Sequence, residues 1–383
     1  MTRKQLLILV VALVVLAGGG AWLADTQRTA WKKTDTRVGQ KLLPGVKLED
    51  VVGFALRNAS GRLTLVRRDD VWAIEERADF PADIGRVREL LLKLIELKIV
   101  QTEPVAPAQR ARLDLLDPDS MPATGAGTSL ELKDRAGKVI AKLLLGKQVA
   151  TQTAASGPSA DQAIPTGRYV MQGKETGSVA LVSDSLGTAD AKPEAWLSKN
   201  LIRAERVKSV AVTGADGSRR FTLSRESESQ DWKLAGGANA DLQKAQDAVG
   251  ALQGMTLDDV VTDPSAAAAG MTRPVTVRAE TFDGLNYTLR IGGKAAANRV
   301  FIALSVTGGP PSERKAKKGE TAEEKKKQDK TFADSRSRLL KKLEWEKKLE
   351  RWTYLVSKST VEPLLHERAQ LLPEKKKGDA KKR

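Results

Sequence analysis

Phe54-Ala-Leu-Arg-Asn-Ala-Ser-Gly61 runs into Arg62-Leu-Thr-Leu-Val66, an Asp69-Asp70 break, Val71-Trp72-Ala-Ile74 and a helical run opened by Asp83. The same order returns at Val210-Ala-Val-Thr-Gly-Ala-Asp-Gly217, Phe221-Thr-Leu223, Gln230-Asp-Trp232-Lys-Leu234 and a helical run opened by Asp241. Both stretches read as strand, turn, strand, turn, Trp-bearing strand and helix. Alternating apolar residues bounded by Gly and Asp turns are strand signals, and a repeated order of elements is the first thing to look for in a chain. Ile84, Val87, Leu91 and Leu94 recur at helical spacing, as do Leu242, Ala245, Val249 and Leu252. Each set predicts one apolar stripe on an amphipathic helix. Asp83 and Asp241 stand where a side-chain oxygen accepts a bond from a free backbone N–H.

The correspondence continues downstream. Leu130-Glu-Leu132, Gly137 and Leu143-Leu-Leu-Gly146-Lys147 answer Val275-Thr-Val277, Gly284 and Leu289-Arg-Ile-Gly-Gly293-Lys294. Counting from each turn glycine pairs Gly146 with Gly293. Arg168-Tyr-Val-Met171 answers Arg299-Val-Phe-Ile302, and Val179–Ser183 answers Thr353–Ser357. Trp72, Asp83 and Gly146, with Trp232, Asp241 and Gly293, therefore form a repeat signature, and the Trp residues read as core side chains. The expected fold is α+β: two tandem repeats of antiparallel sheet with packed helices, preceded by one transmembrane helix. Residues 46–205 form the first repeat and 206–372 the second.

Arg3 and Lys4 precede an uncharged run from Gln5 to Ala24. At 1.5 Å per residue such a run spans roughly 30 Å, about one hydrocarbon core. Leu6, Leu7, Leu9, Val14 and Leu16 supply apolar surface, and Trp22 suits the interface. The basic pair keeps the start of the chain cytoplasmic and sends everything after Ala24 across the membrane as a single-pass protein. A signal peptide cleaved near Gly19-Gly-Ala21 is the competing reading. Residues 25–45 read as a stalk.

The chain has 64 Lys and Arg against 48 Asp and Glu, a net charge of +16. Glu313–Arg351 holds 15 basic and 9 acidic residues, and the tail Glu374–Arg383 holds 6 and 2. Excess charge concentrated there leaves the body only mildly basic, so nucleic acid is not an expected partner. Gly308-Gly-Pro-Pro311 opens an insertion, 308–351, that reads as a solvated helix or a disordered arm. Its Leu339, Leu340 and Leu343 are expected on one face, with Trp345 and Leu349 on another. Residues 373–383 form a basic tail. Pro193–Ile202 is expected to be a short amphipathic helix, Ala266–Gly270 a low-complexity joint and Val361–Leu372 a closing helix.

Site grammar is sparse. With no Cys, thiol catalysis and Cys-based metal sites are excluded, and His366 is the single histidine. There is no phosphate-cradling Gly loop, no GxGxxG and no HExxH. Leu113-Asp-Leu-Leu-Asp-Pro-Asp119 gathers three carboxylates, but not at calcium-loop spacing. No catalytic, cofactor or metal residue is predicted, and a non-enzymatic role is expected.

The Val71-Trp72-Ala-Ile74 strand, the helix after Asp83, Leu115-Leu-Asp-Pro118, Leu145-Gly146-Lys147, Arg168-Tyr-Val170 and Ala195-Trp-Leu-Ser-Lys-Asn-Leu201 together resemble the family called domain of unknown function 4340, with the domain doubled. Leu115 stands where that family's pattern has Gly, and Arg273-Pro274 lacks its Leu-Asp. The resemblance implies an anchored extracytoplasmic protein encoded beside ABC-type transport components like those of gliding motility. It implies the lipid bilayer, an ABC permease or auxiliary subunits as partners, and no catalytic residue. An anionic envelope polymer, held by the basic arm and tail, is the alternative partner.

Overall fold

The computed structural model describes residues 37–119, 124–151, 164–173, 178–316 and 319–373. The anchor at 1–24, most of the stalk and the basic tail after Pro373 lie outside the described residues, as does most of the loop between 151 and 164. Among the described residues no helix is long and apolar enough to cross a membrane.

Strand formation begins with alternation. In β1 (Gly53–Asn58) Phe54 and Leu56 are buried, and in β2 (Gly61–Arg68) Leu63 and Leu65 face the same core. The Asn58 carboxamide oxygen accepts from Ser60 N at 2.9 Å and Gly61 N at 3.1 Å, which closes the hairpin. β2 passes through Asp69 and Asp70, both at positive φ (48° and 64°), into β3 (Val71–Ile74). Two consecutive left-handed residues are the mark of the two-residue turn whose twist suits a hairpin.

The chain divides into two units. One takes in the described residues up to Val66 together with Gly85–Ala191; the other takes in Arg67–Ile84 and the chain from Lys192 onward. In the first, β5 (Ile99–Pro104), β6 (Thr128–Lys133), β7 (Val139–Thr151), β8 (Ile164–Gln172) and β9 (Ser178–Val182) join β1 and β2 in the order β2-β1-β6-β7-β8-β9-β5. Neighbours run antiparallel throughout. α1 (Ile84–Glu96) buries Val87, Leu90, Leu91 and Leu94.

The second unit holds β3 and its partner β4 (Phe80–Pro81), and a small pair of β10 (Asn200–Ile202) with β14 (Met255–Thr256). Its large sheet is built from β11 (Val207–Thr213), β12 (Arg219–Ser224), β13 (Lys233–Leu234), β15 (Asp259–Val260), β16 (Val275–Thr281), β17 (Leu285–Ala295), β18 (Arg299–Gly308) and β19 (Tyr354–Ser357). The order is β13-β12-β11-β16-β17-β18-β19-β15, again antiparallel. Matching β1 with β11, β2 with β12, β6–β9 with β16–β19 and β5 with β15 gives one order for both sheets. α2 (Leu242–Gln253) buries Ala245, Ala248, Val249 and Leu252, the positions matching the buried set of α1.

Local expectations change in several places. Ile84 and Leu242 begin the predicted stripes yet are 53% and 54% exposed. Side chains of a helix lean toward its N-terminus, so the first residue overhangs the helix end rather than the sheet. Leu90 and Ala248 take their places in the core. The expected joint at Ala266–Gly270 belongs to a helix, α3 (Pro264–Gly270), capped by Asp263, whose carboxylate accepts from Ser265 N at 2.9 Å. Pro193–Ile202 is not one helix but a 3₁₀ turn, Pro193–Trp196, followed by β10. The expected closing helix Val361–Leu372 is instead two 3₁₀ turns that follow a short helix. α5 (Lys358–Val361) ends just before Glu362-Pro363, and the turns are Glu362–Leu365 and Arg368–Leu371. A proline has no N–H to continue the helical ladder.

Candidate functional site

The segment 309–353, between β18 and β19, holds α4 (Ala322–Lys348), a helix of 27 residues. The helix starts cleanly. Thr321 Oγ1 accepts from Glu324 N at 3.2 Å, and the Glu324 carboxylate accepts from Thr321 N at 3.0 Å. This reciprocal cap satisfies donors that the first turn leaves free. The two halves of α4 then differ. Every residue from Thr321 to Lys330 is exposed, including Lys325, Lys326, Lys327 and Lys330. Further on, Phe332, Ser335, Leu339, Leu343 and Glu346 recur at helical spacing on the less exposed face, and Leu343 and Glu346 are buried.

The docked half is held by specific polar contacts. Tyr287 OH, from β17, donates to Glu346 Oε2 at 2.9 Å. Val306 N, from β18, donates to Glu350 Oε1 at 2.7 Å, and Lys342 Nζ donates to Arg203 O. Burial pushes the Glu346 carboxyl above the usual carboxylate range, against the pull of the Lys342 cation and the Tyr287 hydroxyl. Burial also raises Tyr287, and the neighbouring Glu346 carboxylate adds to the effect. Leu349 is buried with Leu343, whereas Leu340 and Trp345 are each 39% exposed. The expected face Leu339, Leu340 and Leu343 is thus split. Leu349 returns to the core where the helix tightens into the 3₁₀ turn Leu349–Arg351.

Beside α4, from Glu324 to Leu339, lies an open groove of about 700 Å³. Phe282, Pro310, Pro311, Phe332 and Leu339 supply its apolar lining. Arg314 also lines it, donating to Glu320 at 2.7 Å and to Asp329 at 2.8 Å, and these two carboxylates raise its guanidinium further. Arg206 is likewise engaged, bonding Glu228 at 2.7 Å and pairing with Asp283. Arg336 Nε donates to Pro311 O at 3.1 Å and so ties the Pro-Pro loop to α4. A second open cavity, of about 1060 Å³, lies in the first unit beside Leu43, Glu49, Asp50, Asp134 and Arg135. Among the described residues no three acidic or His side chains gather as they would to hold a metal ion.

The signature residues are placed in the packing of the units. Trp72 and Trp232 are buried, and the Arg225 guanidinium lies 4.6 Å from the Trp232 ring centre. Ala82 N donates to Trp72 O at 2.7 Å, and Ala240 N donates to Trp232 O at 3.0 Å. Asp83 N bonds Trp196 O and Asp241 N bonds Leu371 O, both at 2.8 Å. Asp241 caps α2 through Lys244 N at 3.0 Å. A Cβ on Gly146 would collide with Leu113 O and the Leu115 side chain. Arg168 Nε donates to Gly146 O at 2.7 Å, and burial brings its guanidinium down to about 10, opposed by Asp114. Leu115, Gly146 and Arg168, distant in sequence, are therefore one packed cluster. In the second unit Gly292 makes the close approach, to Gly270 O, and Gly293 has nothing nearer than 3.8 Å. Residues 72–274 match the model of the family described as Domain of unknown function (DUF4340). The chain belongs to this family. No curated protein and no solved structure matches it.

The DUF4340 match opens at Trp72 in β3 and closes at Pro274, just before β16. It covers Asp83, Gly146, Arg168, Trp232 and Asp241. α4 lies beyond the matched residues, as do the groove's lining residues other than Arg206. Leu6, Leu7, Leu9, Val14, Leu16 and Trp22 lie outside the described residues. Sequence reasoning passed over Tyr287, Phe332 and Glu346. The stripe 332, 335, 339, 343 and 346 was there to be read, but Glu346 is charged and Phe332 stands among lysines.

Proposed function

We propose that this chain is a non-catalytic accessory subunit of an ABC-type, gliding-motility-like transport complex. It is held in the bacterial inner membrane by the segment 1–24 as a single-pass protein and works by protein–protein contact on the periplasmic side. Its body is a duplicated domain. The common strand order of the two sheets and the paired backbone bonds at Trp72 and Trp232 support the duplication. The observation that carries the interaction reading is α4. Its C-terminal part is fixed to the sheet by Leu343 and Glu346, with Glu350 in the turn that follows, while the stretch up to Lys330 stands exposed on all its turns. Fixing one half of a helix presents the other half at a defined place, so less ordering is left for a partner to pay for.

The test is recovery of the tagged full-length chain in mild detergent, with co-purifying proteins identified by mass spectrometry. An ABC permease or ATPase recovered with it is the expected result. Recovery of no membrane partner overturns the reading. The alternative, an envelope scaffold that binds an anionic polymer, is favoured by one observation. Lys325, Lys326 and Lys330 are exposed with no ion pair among the described residues. Binding of that kind weakens steeply with salt.

A further inference from the structure

The hairpin β3–β4 comes from the first repeat but belongs to the second unit. Its tip is strained. Ala78 and Asp79, just ahead of Phe80, sit at positive φ (53° and 58°), where the second repeat has Gly236 and Gly237 (92° and 85°) just ahead of Ala238. Glycine adopts this conformation freely, whereas a residue such as alanine persists in it only where its surroundings hold it. Here the hold comes from the end of the excursion that carries α4. Trp352 Nε1 donates to Ala78 O at 3.0 Å, and Arg351 Nη2 donates to Asp79 O at 3.4 Å. The Arg351 guanidinium lies 3.9 Å from the Trp352 ring centre. The Phe80 ring meets Trp352 and Tyr354 edge-on, with centres 5.0 and 5.9 Å apart. We propose that Arg351-Trp352 is a strap that locks this tip and that α4 is its lever, so that displacing α4 from its seat frees the tip. The proposal goes beyond the interaction reading and holds whatever α4 meets.

Continuity of the backbone makes the lever. α4 passes into the 3₁₀ turn Leu349–Arg351 without a break. Leu349 stays helical (φ −78°, ψ −11°), and its N–H bonds Glu346 O and Lys347 O. A continuous helical rod is a rigid element that carries a displacement along its length, so the seating of Leu343 and Glu346 also sets where Arg351 and Trp352 stand. Tyr354, one of the rings against Phe80, is tied to the same turn, its OH donating to Leu349 O. The tip of the second hairpin is held from elsewhere. Arg368, in the short turn Arg368–Leu371, donates to Ala235 O at 3.2 Å. Arg77 gives the first hairpin a hold that does not involve α4, bonding Asp259 at 2.6 and 3.1 Å. Release of the strap is therefore an opening of the tip, not the loss of the hairpin.

Hydrogen exchange of the full-length chain in mild detergent, read by mass spectrometry, tests the lever. The reporters are the tip amides Ala78 N and Asp79 N, bonded to Glu75 O at 3.2 Å and Ile74 O at 3.1 Å. Leu343→Ala loosens the seat of α4. The expected result is exchange at the tip faster by roughly fivefold or more, the low end of coupling between two sites, with the amides of β11 and β12 in the same unit unchanged. Coupling is reciprocal, so a second variant reads it from the other end. Trp352→Phe removes the donor to Ala78 O and keeps an aromatic ring beside Phe80. It should speed exchange over residues 339–348 of α4 by a similar factor. A tip unmoved by Leu343→Ala, or an α4 unmoved by Trp352→Phe, would overturn the proposal. So would acceleration of β11 and β12 equal to that of the tip, since that is a general loss of stability and not a local release.

Discussion

β8 and β9 are joined by residues 173–177, whereas β18 and β19 are joined by 309–353, yet both pairs form in sheets of the same strand order. Closing the longer connection costs only about 2 kcal/mol more, because loop entropy grows with the logarithm of length. Burial of Leu343 and Leu349 offsets that cost, at about 1.5–3 kcal/mol for each fully buried side chain. The comparison teaches that the sheet tolerates α4 without depending on it. Where the first unit connects the pair with five residues, the second takes a long excursion that returns to the matching strand. Function is more readily carried by such an addition than by the strands that both units need.

The strongest way to sharpen the comparison lies at the glycines. Gly292→Val should prevent stable folding of the second unit, because backbone atoms of Gly270 occupy the space. Gly146→Val should do the same in the first unit, against Leu113 and Leu115. Gly293→Ala should cost less than about 1 kcal/mol, since its nearest neighbour leaves room. Chemical denaturation of the three variants decides whether Gly292 or Gly293 is the true counterpart of Gly146. Next in size, Trp72→Ala and Trp232→Ala should each destabilise by about 3–5 kcal/mol. A large difference between them would break the equivalence of the two Trp-bearing segments.

A smaller effect isolates the docking of α4. The folded Glu346 carboxyl sits above its unfolded value, so folding takes up a proton. Its cost is absent below the unfolded carboxylate value of about 4.3 and grows as pH rises through the folded value. Glu346→Gln should therefore raise the melting temperature at pH 7, and the gain should close toward pH 4. Melting curves across that range check the sign, and a gain that persisted at pH 4 would count against burial as the cause. The smallest effect is at the α2 cap. Asp241→Ala should cost about 1 kcal/mol through the lost bond to Lys244 N, measured by denaturant midpoint.

Periodicity carried much of the fold. Alternation in Phe54–Val66 and Val207–Leu223, turn residues such as Asp69-Asp70 and Gly217, and the stripes of α1 and α2 are local signals. They are legible because a strand has period two and a helix 3.6 whatever lies around them. The family resemblance rested on the same short-range order, and its match over 72–274 bears out membership. Other features needed the folded chain. A count from the turn glycines paired Gly146 with Gly293, but the β6–β7 pairing shifts register between Leu132 and Lys133 whereas β16–β17 pairs without a shift, so the count runs one residue too far and Gly292 is the residue against Gly270. Glu346 read as one more charge in a solvated arm, and it is buried against Tyr287 at a separation of 59 residues. Phe332 became part of a groove only when Phe282 and the Pro310-Pro311 loop were brought beside it. Helix and strand periods are properties of consecutive residues. Close backbone approach, buried charge and the lining of a groove depend on residues far apart in the chain, and their energies exist only once those residues meet.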